Sequence, residues 1–189
     1  MKVVLSEQLA PLGGWRSPGR VRLAPLSSES STRSQRMLMR VINKVGRLEA
    51  SNLFLMLMRN FRLFWNWLMF AKCLMPFGAL PRRDTELVIL RVGWNCRCRY
   101  EWGQHVDIGL RAGLNDEDIA RTPLGSEAIG WLPYDKALMQ AREVWAAVML
   151  IGDYAMLAGV LNSTGLPLDT RLEGVLAAAP IHKRQNHDI

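Results

Sequence analysis

Residues 80–106 read LPRRDTELVILRVGWNCRCRYEWGQHV, and this stretch decides the fold. Its first half follows the grammar of a helix. Pro81 stands where the first turn begins, a position that tolerates proline because the missing N–H had no intrahelical partner there. Asp84 and Glu86 place negative charge beside the positive end of the helix dipole, and Leu87, Leu90 and Val92 supply an apolar side up to Trp94. Asn95-Cys96-Arg97 reads as a tight break. A second helix is predicted from Cys98 to about Ala112, stopped by Gly113. Asn115 then caps a short helix over 116–121, with Asp118 in the reciprocal position of a capping box.

The second half carries the chemistry. Cys98, Glu101 and His105 are spaced by three and four residues, so on a helix they share one stripe. A thiol in the first helical turn is expected to feel the positive dipole end, which favours the thiolate. An imidazole has a reference pKa close to neutrality, so His105 is a candidate proton relay. Glu86 lies twelve residues before Cys98, on the preceding helix, from where it can fold back against His105. Taken alone, an i,i+4 Glu/His pair more often decorates a solvated face, and a lone cysteine at a helix start is more often inert.

Outward from this segment the pattern stays helical. Toward the N-terminus, Met37, Leu38, Val41, Val45 and Leu48 mark one helix face. Further helices are expected over 52–60 and 62–74, the latter closed by Pro76 and Gly78. The aromatic set Phe61, Phe64, Trp65, Trp67 and Phe70 is assigned to core and subunit interface. Toward the C-terminus, a loop marked by Pro123, Gly125, Gly130 and Pro133 leads to a long helix from about 135 to 161, ending near Gly165-Leu166-Pro167. Asp153-Tyr154 in that helix reads as a buried hydrogen-bonded pair or as a pocket wall. No alternating strand and no fixed-period repeat is present, so the class is all-α. The division is an irregular arm over 1–35, rich in Pro, Gly, Ser and Arg, a single helical domain over 36–180 and a polar tail over 181–189.

Bulk properties narrow the function. The formal charge is +7, but the arginines are scattered, with no basic block, zinc-finger spacing or RNA-binding signature, so no nucleic-acid partner is expected. Arg59, Arg62 and Lys72 interrupt the apolar run over 53–80, and Asp153 interrupts that over 144–161, each short of the roughly 20 residues a membrane span needs. No membrane partner follows. Three cysteines, Cys73, Cys96 and Cys98, are no disulfide framework. With no apolar leader before Pro11, they suggest a reducing, cytoplasmic setting. His182 and His187 sit in the polar tail, and no ligand cluster, phosphate loop or nucleotide fingerprint occurs, so no metal or cofactor is expected.

The run from Leu80 to Trp94, then Tyr100-Glu101-Trp102-Gly103-Gln104-His105-Val106, then Ala112-Gly113-Leu114, resembles the carboxymuconolactone decarboxylase family, which includes the alkylhydroperoxidase D-like proteins. The resemblance covers about residues 50–135 and again about 149–168, and the chain looks shortened around Val144–Val148. It implies an alkylhydroperoxidase D-like helical bundle and a homo-oligomer, commonly a trimer or hexamer, with the active site near a subunit interface. In the hydroperoxidases of that family the motif is a glutamate followed, twelve residues on, by C-x-x-C-x-x-x-H. Glu86, Cys98 and His105 match it, while Glu101 occupies the second cysteine position and cannot form a disulfide. That replacement turns the expectation toward an acid–base enzyme acting on a small organic acid or lactone. His105 would be the general acid/base, Glu101 its partner, Glu86 the orienting carboxylate, and Cys98 would line the site. The alternatives are a thiol-dependent hydroperoxide reductase using Cys98 and a non-catalytic oligomeric protein that retains the fold.

Overall fold

A computed structural model of the chain describes residues 10–46, 52–140 and 145–178. Among them the order is α1 (Arg33–Gly46), α2 (Asn52–Leu57) continued by a 3-10 turn (Met58–Asn60), α3 (Phe61–Leu74), α4 (Arg82–Asn95), α5 (Arg99–Arg111), α6 (Asp116–Arg121) with a second 3-10 turn (Thr122–Leu124), α7 (Pro133–Gln140), α8 (Trp145–Thr164) and α9 (Thr170–Ala178). No described residue is in a strand, so the all-α class holds. No helix among the described residues is long and apolar enough to cross a membrane.

α4 is the axle. It packs against α5, α7 and α8, and every residue from Asp84 to Gly93 except Arg91 is buried. A helix buried on all sides must satisfy its polar groups from its neighbours. At its start, Arg83 holds Asp135 of α7 at 2.7 Å and Asp118 of α6 at 3.2 Å. Farther along, Arg91 Nη1 donates to the carbonyls of Thr122 and Pro123 at 3.0 and 2.8 Å. The break to α5 is the tight turn expected: Arg97 takes the left-handed conformation at φ 55°, and the Cys98 N–H donates to the Gly93 carbonyl at 2.9 Å. Glycines set how closely α4 and α5 meet. A Cβ on Gly93 would sit 3.3 Å from the Glu101 Cβ, and one on Gly109 would touch Leu90 and Glu86 of α4 at 3.6 and 3.7 Å. The Asn115–Asp118 capping box forms as read, and Gly113 ends α5 with a positive φ.

Several expectations change. The arm is irregular over its described part, 10–32, but it is pinned to its own fold. The Arg16 N–H donates to the Arg97 carbonyl at 2.9 Å, and Trp15 meets the Trp94 ring edge-on at 5.5 Å. Met37 and Val41 are exposed, and Met39 faces inward with Leu38 and Ile42 onto Met58 and Phe64. Of the described residues in its apolar stripe, Leu38 and Val41 also line a cavity beside α3, and the side chains of Val45 and Leu48 lie outside the described ones. Of the α3 aromatic set assigned to core and subunit interface, Phe64 is fully buried in the core and Trp67 half-buried, while Phe61, Trp65 and Phe70, with Leu63, stand at the surface of the single chain. α9 follows the Leu166-Pro167 break and packs on α5 through Leu176, where Gly103 makes room. The continuity of the long helix across 141–144, the apparent shortening that begins there, and the tail over 181–189 with His182 and His187 lie outside the described residues.

Because Gly93 sits against the Glu101 backbone and Cβ, Gly93→Val is expected to push α4 from α5 and to destabilise the protein by about 1–3 kcal/mol. A urea denaturation midpoint equal to that of the unsubstituted protein contradicts this reading of the seam.

Candidate functional site

The seam between α4 and α5 brings three of the four sequence-predicted residues together. Glu86 projects from α4, and Glu101 and His105 project one turn apart from α5. His105 Nδ1 lies 2.6 Å from Glu86 Oε2, and its Nε2 lies 3.4 Å from Glu101 Oε2. Glu86 is wholly inaccessible, and Glu101 and His105 are 2% and 4% exposed. Arg82, one turn before Glu86, brings its Nε to 2.9 Å from Glu86 Oε1. This contact is an ion pair by distance only, since no N–H is aligned on that oxygen. The Tyr154 ring from α8 meets the imidazole edge-on, with centroids 5.0 Å apart.

These surroundings set the charge of His105. Burial by itself would push its pKa down, but the charge of Glu86 and the hydrogen bonds to Glu101 and Glu86 outweigh burial and raise it to about 9. At neutral pH the ring is therefore an imidazolium held between two carboxyl groups.

The imidazole and Glu101 open onto a cavity of about 770 Å³. Its α5 wall is Glu101, Gln104 and His105, Asp153 and Tyr154 come from α8, and Phe54 and Trp67 come from α2 and α3. Trp67 Nε1 donates to Asp153 Oδ1 at 2.9 Å, and both residues line the cavity. The Tyr154 hydroxyl bonds Met75 Sδ at 3.7 Å, so the expected Asp153–Tyr154 hydrogen bond gives way to two other partners while the pocket-wall reading holds. Burial raises the pKa of both groups. Arg82, Lys72 and Arg111 give the lining its cationic side chains.

Cys98 is not among the cavity residues. It caps α5 from an apolar cluster with Leu53, Met56, Leu157 and Leu161, and is 1% exposed. The expected thiolate is reversed: burial pushes the thiol pKa well up, the Glu101 charge pushes it further, and the backbone N–H groups of Glu101 and Tyr100 only partly oppose them. Sequence reading missed Arg82, Gln104 and Trp67. The first two do carry a signal, since Arg82 is one turn before Glu86 and Gln104 is three residues after Glu101. Trp67 carries none, because its place depends on the packing of α3 against α8.

With this geometry in hand, comparison with known proteins is informative. Residues 62–147 match the Carboxymuconolactone decarboxylase family. The match covers a little under half of the chain. It runs from the second residue of α3 into the start of α8 and contains the whole Glu86–His105–Glu101 cluster, while Phe54, Asp153 and Tyr154 lie outside it. Among solved structures, the debrominase Bmp8 in its apo form is similar at 12% identity and a TM-score of 0.64, over 85% of this chain and 99% of that one. A variant of the same debrominase with one cysteine replaced by alanine, in complex with 2,3,4-tribromopyrrole, is similar at 12% identity and a TM-score of 0.60, over 83% and 96% of the two chains. At that identity the likeness concerns the fold, and it places this chain in the same all-α architecture. No curated protein matches the sequence significantly.

Two outcomes are expected. Iodoacetamide at neutral pH should label the exposed Cys73 at least about a hundredfold faster than Cys98, because the thiolate is the reacting species; comparable labelling by peptide mass spectrometry contradicts the burial of Cys98. The raised pKa of His105 contributes stability that is fully present below its ordinary value of 6.5 and is lost as pH rises through about 9. The melting temperature should therefore fall between pH 7 and 10 more steeply than in His105→Gln, and parallel curves would exclude the coupling.

Proposed function

We propose that the protein is an acid–base enzyme acting on a small organic acid or lactone, with His105 and Glu101 as the reacting pair. The observation that carries this reading is the clamp on His105: Glu86 holds one ring nitrogen at 2.6 Å, which leaves the other beside Glu101 at the wall of the cavity. The family match over residues 62–147 supports an enzyme of the carboxymuconolactone decarboxylase type. Glu86 orients the ring and stabilises its charge. The Nε2–H of the imidazolium then delivers a proton to the substrate atom that gains electron density, and Glu101 accepts the proton that another substrate atom gives up. Lys72 in the lining offers an ordinary partner for an acid group, while Arg82 and Arg111 already pair with Glu86 and Asp107.

The hydroperoxide-reductase alternative has less support. It needs a reactive thiolate, and Cys98 is buried with its pKa pushed up. The non-catalytic alternative would be favoured by Glu86 and His105 on divergent surfaces, whereas they meet at 2.6 Å. A homo-oligomer belongs to the same proposal, and the exposed Leu63, Trp65 and Phe70 of α3 are the apolar surface it would cover.

His105→Ala should reduce turnover of a lactone or related acid by about 10²–10⁴-fold, with far-ultraviolet circular dichroism unchanged. With His105 as proton donor, activity in the unsubstituted protein should decline as pH rises through about 9, where the imidazolium is lost. Unchanged turnover in the variant rejects the assignment.

A further inference from the structure

The N-terminal arm and the C-terminal end of α8 frame a second cavity, of about 520 Å³, that shares no lining residue with the one at His105. Three arginines line it: Arg16 and Arg22 from the arm, and Arg97 from the turn between α4 and α5. No carboxylate lines it, and among the described residues none of the three pairs with an acidic side chain. Their hydrogen bonds go to carbonyls instead. Arg97 Nη1 donates to Leu12 and Gly13 at 3.4 and 3.0 Å, and Arg22 Nη1 donates to Ser163 at 3.4 Å. A carbonyl orients a guanidinium without neutralising it, and most of its five donors stay available. The C-terminus of α8 offsets only about half of one unit of this charge.

The backbone is built around these side chains. The Arg16 N–H donates to the Arg97 carbonyl at 2.9 Å and the Arg22 N–H to the Thr164 carbonyl at 2.6 Å, so the arm is tied down on both sides of the cavity. Gly13 has a positive φ, and a Cβ there would collide with Arg97 Nη1. Like charges are thus held around one concavity against their mutual repulsion, which draws an anion to it. Charge and shape select the anion. A carboxylate has one charge and two oxygens in a plane. A phosphate has nearly two charges and three oxygens in different directions, which suits guanidinium groups that arrive from three places in the chain. Trp15 and Pro18 in the lining give an organic remainder an apolar border. We infer that this cavity binds a small phosphate-bearing molecule, with Arg16, Arg22 and Arg97 holding the phosphate.

The full chain is titrated calorimetrically, at fixed ionic strength, with glycerol 3-phosphate and with glycerate. The phosphate is expected to bind at a single site, more tightly than the carboxylate. Arg16→Gln and Arg22→Gln should each weaken it at least about tenfold, as loss of a hydrogen bond between charged groups implies. Arg20→Gln removes the same charge from the arm outside the cavity and should change affinity less than about twofold, because an exposed charge is screened. Gly159→Leu is a second route to the same answer. Nothing lies within 4 Å of a Cβ at that position, so the fold accommodates the side chain, which then fills part of the cavity and weakens binding. No binding of glycerol 3-phosphate, equal affinity for glycerate, a loss in Arg20→Gln as large as in Arg16→Gln, or undiminished affinity in Gly159→Leu each overturns the inference. Phosphatidylcholine vesicles containing phosphatidic acid separate the two sources of a phosphate: Arg16-dependent capture by vesicles without binding of glycerol 3-phosphate assigns the site to a lipid headgroup and overturns the small-molecule ligand.

Discussion

The short contact between His105 and Glu86 across the α4–α5 seam is the interaction on which the rest of the site depends. Both groups are almost fully removed from water. A single buried charge would be costly enough to neutralise itself or to open the structure, and the pair holds because each partner compensates the other. The closeness comes from small residues at the crossing, Gly93 and Gly109, which let the two backbones approach. Arg82 and Glu101 extend the pair into an alternating row of cation and anion that ends at the cavity wall. Stability and chemistry thus share one set of atoms, and the imidazole is kept charged by the same contacts that keep the helices together.

The cavity itself is assembled from two sources. The family segment supplies the charged wall, and the chain on either side of it supplies much of the apolar lining and the Tyr154 ring that packs on His105. Such a division lets the clamp stay constant while the flanks set what fits beside it, since recognition of an apolar body depends on shape and the clamp does not. The N-terminal arm contributes elsewhere. Trp15 packs on Trp94 and Trp102, and the Arg16 N–H bonds the Arg97 carbonyl, so the arm covers the turn between α4 and α5.

Much of this architecture is legible before any coordinates. Proline at the start of α4, the break at Asn95–Arg97, Gly113 and the Asn115 capping box are local signals, readable because caps and turns depend on a few adjacent residues. The juxtaposition of Glu101 with His105 is equally local, a matter of helical pitch. The readings that failed needed distant information. Cys98 has the sequence position of an activated thiol, but Leu53, Met56, Leu157 and Leu161 arrive from two other helices to bury it, and desolvation outweighs a dipole. How the α3 aromatic set divides between core and surface likewise depends on packing, which covers only Phe64 fully.

The helical class, the element boundaries around residues 80–121 and the chemical inventory Glu86, Glu101, His105 and Cys98 are thus written in the order of the amino acids. Which members of that inventory act together is a property of the folded chain alone. Helical periodicity arises from backbone hydrogen bonds between near neighbours, so it is encoded locally. Burial and charge state arise from what other segments bring alongside, and those segments here lie far away along the chain, as Tyr154 does from His105 and Asp153 from Trp67.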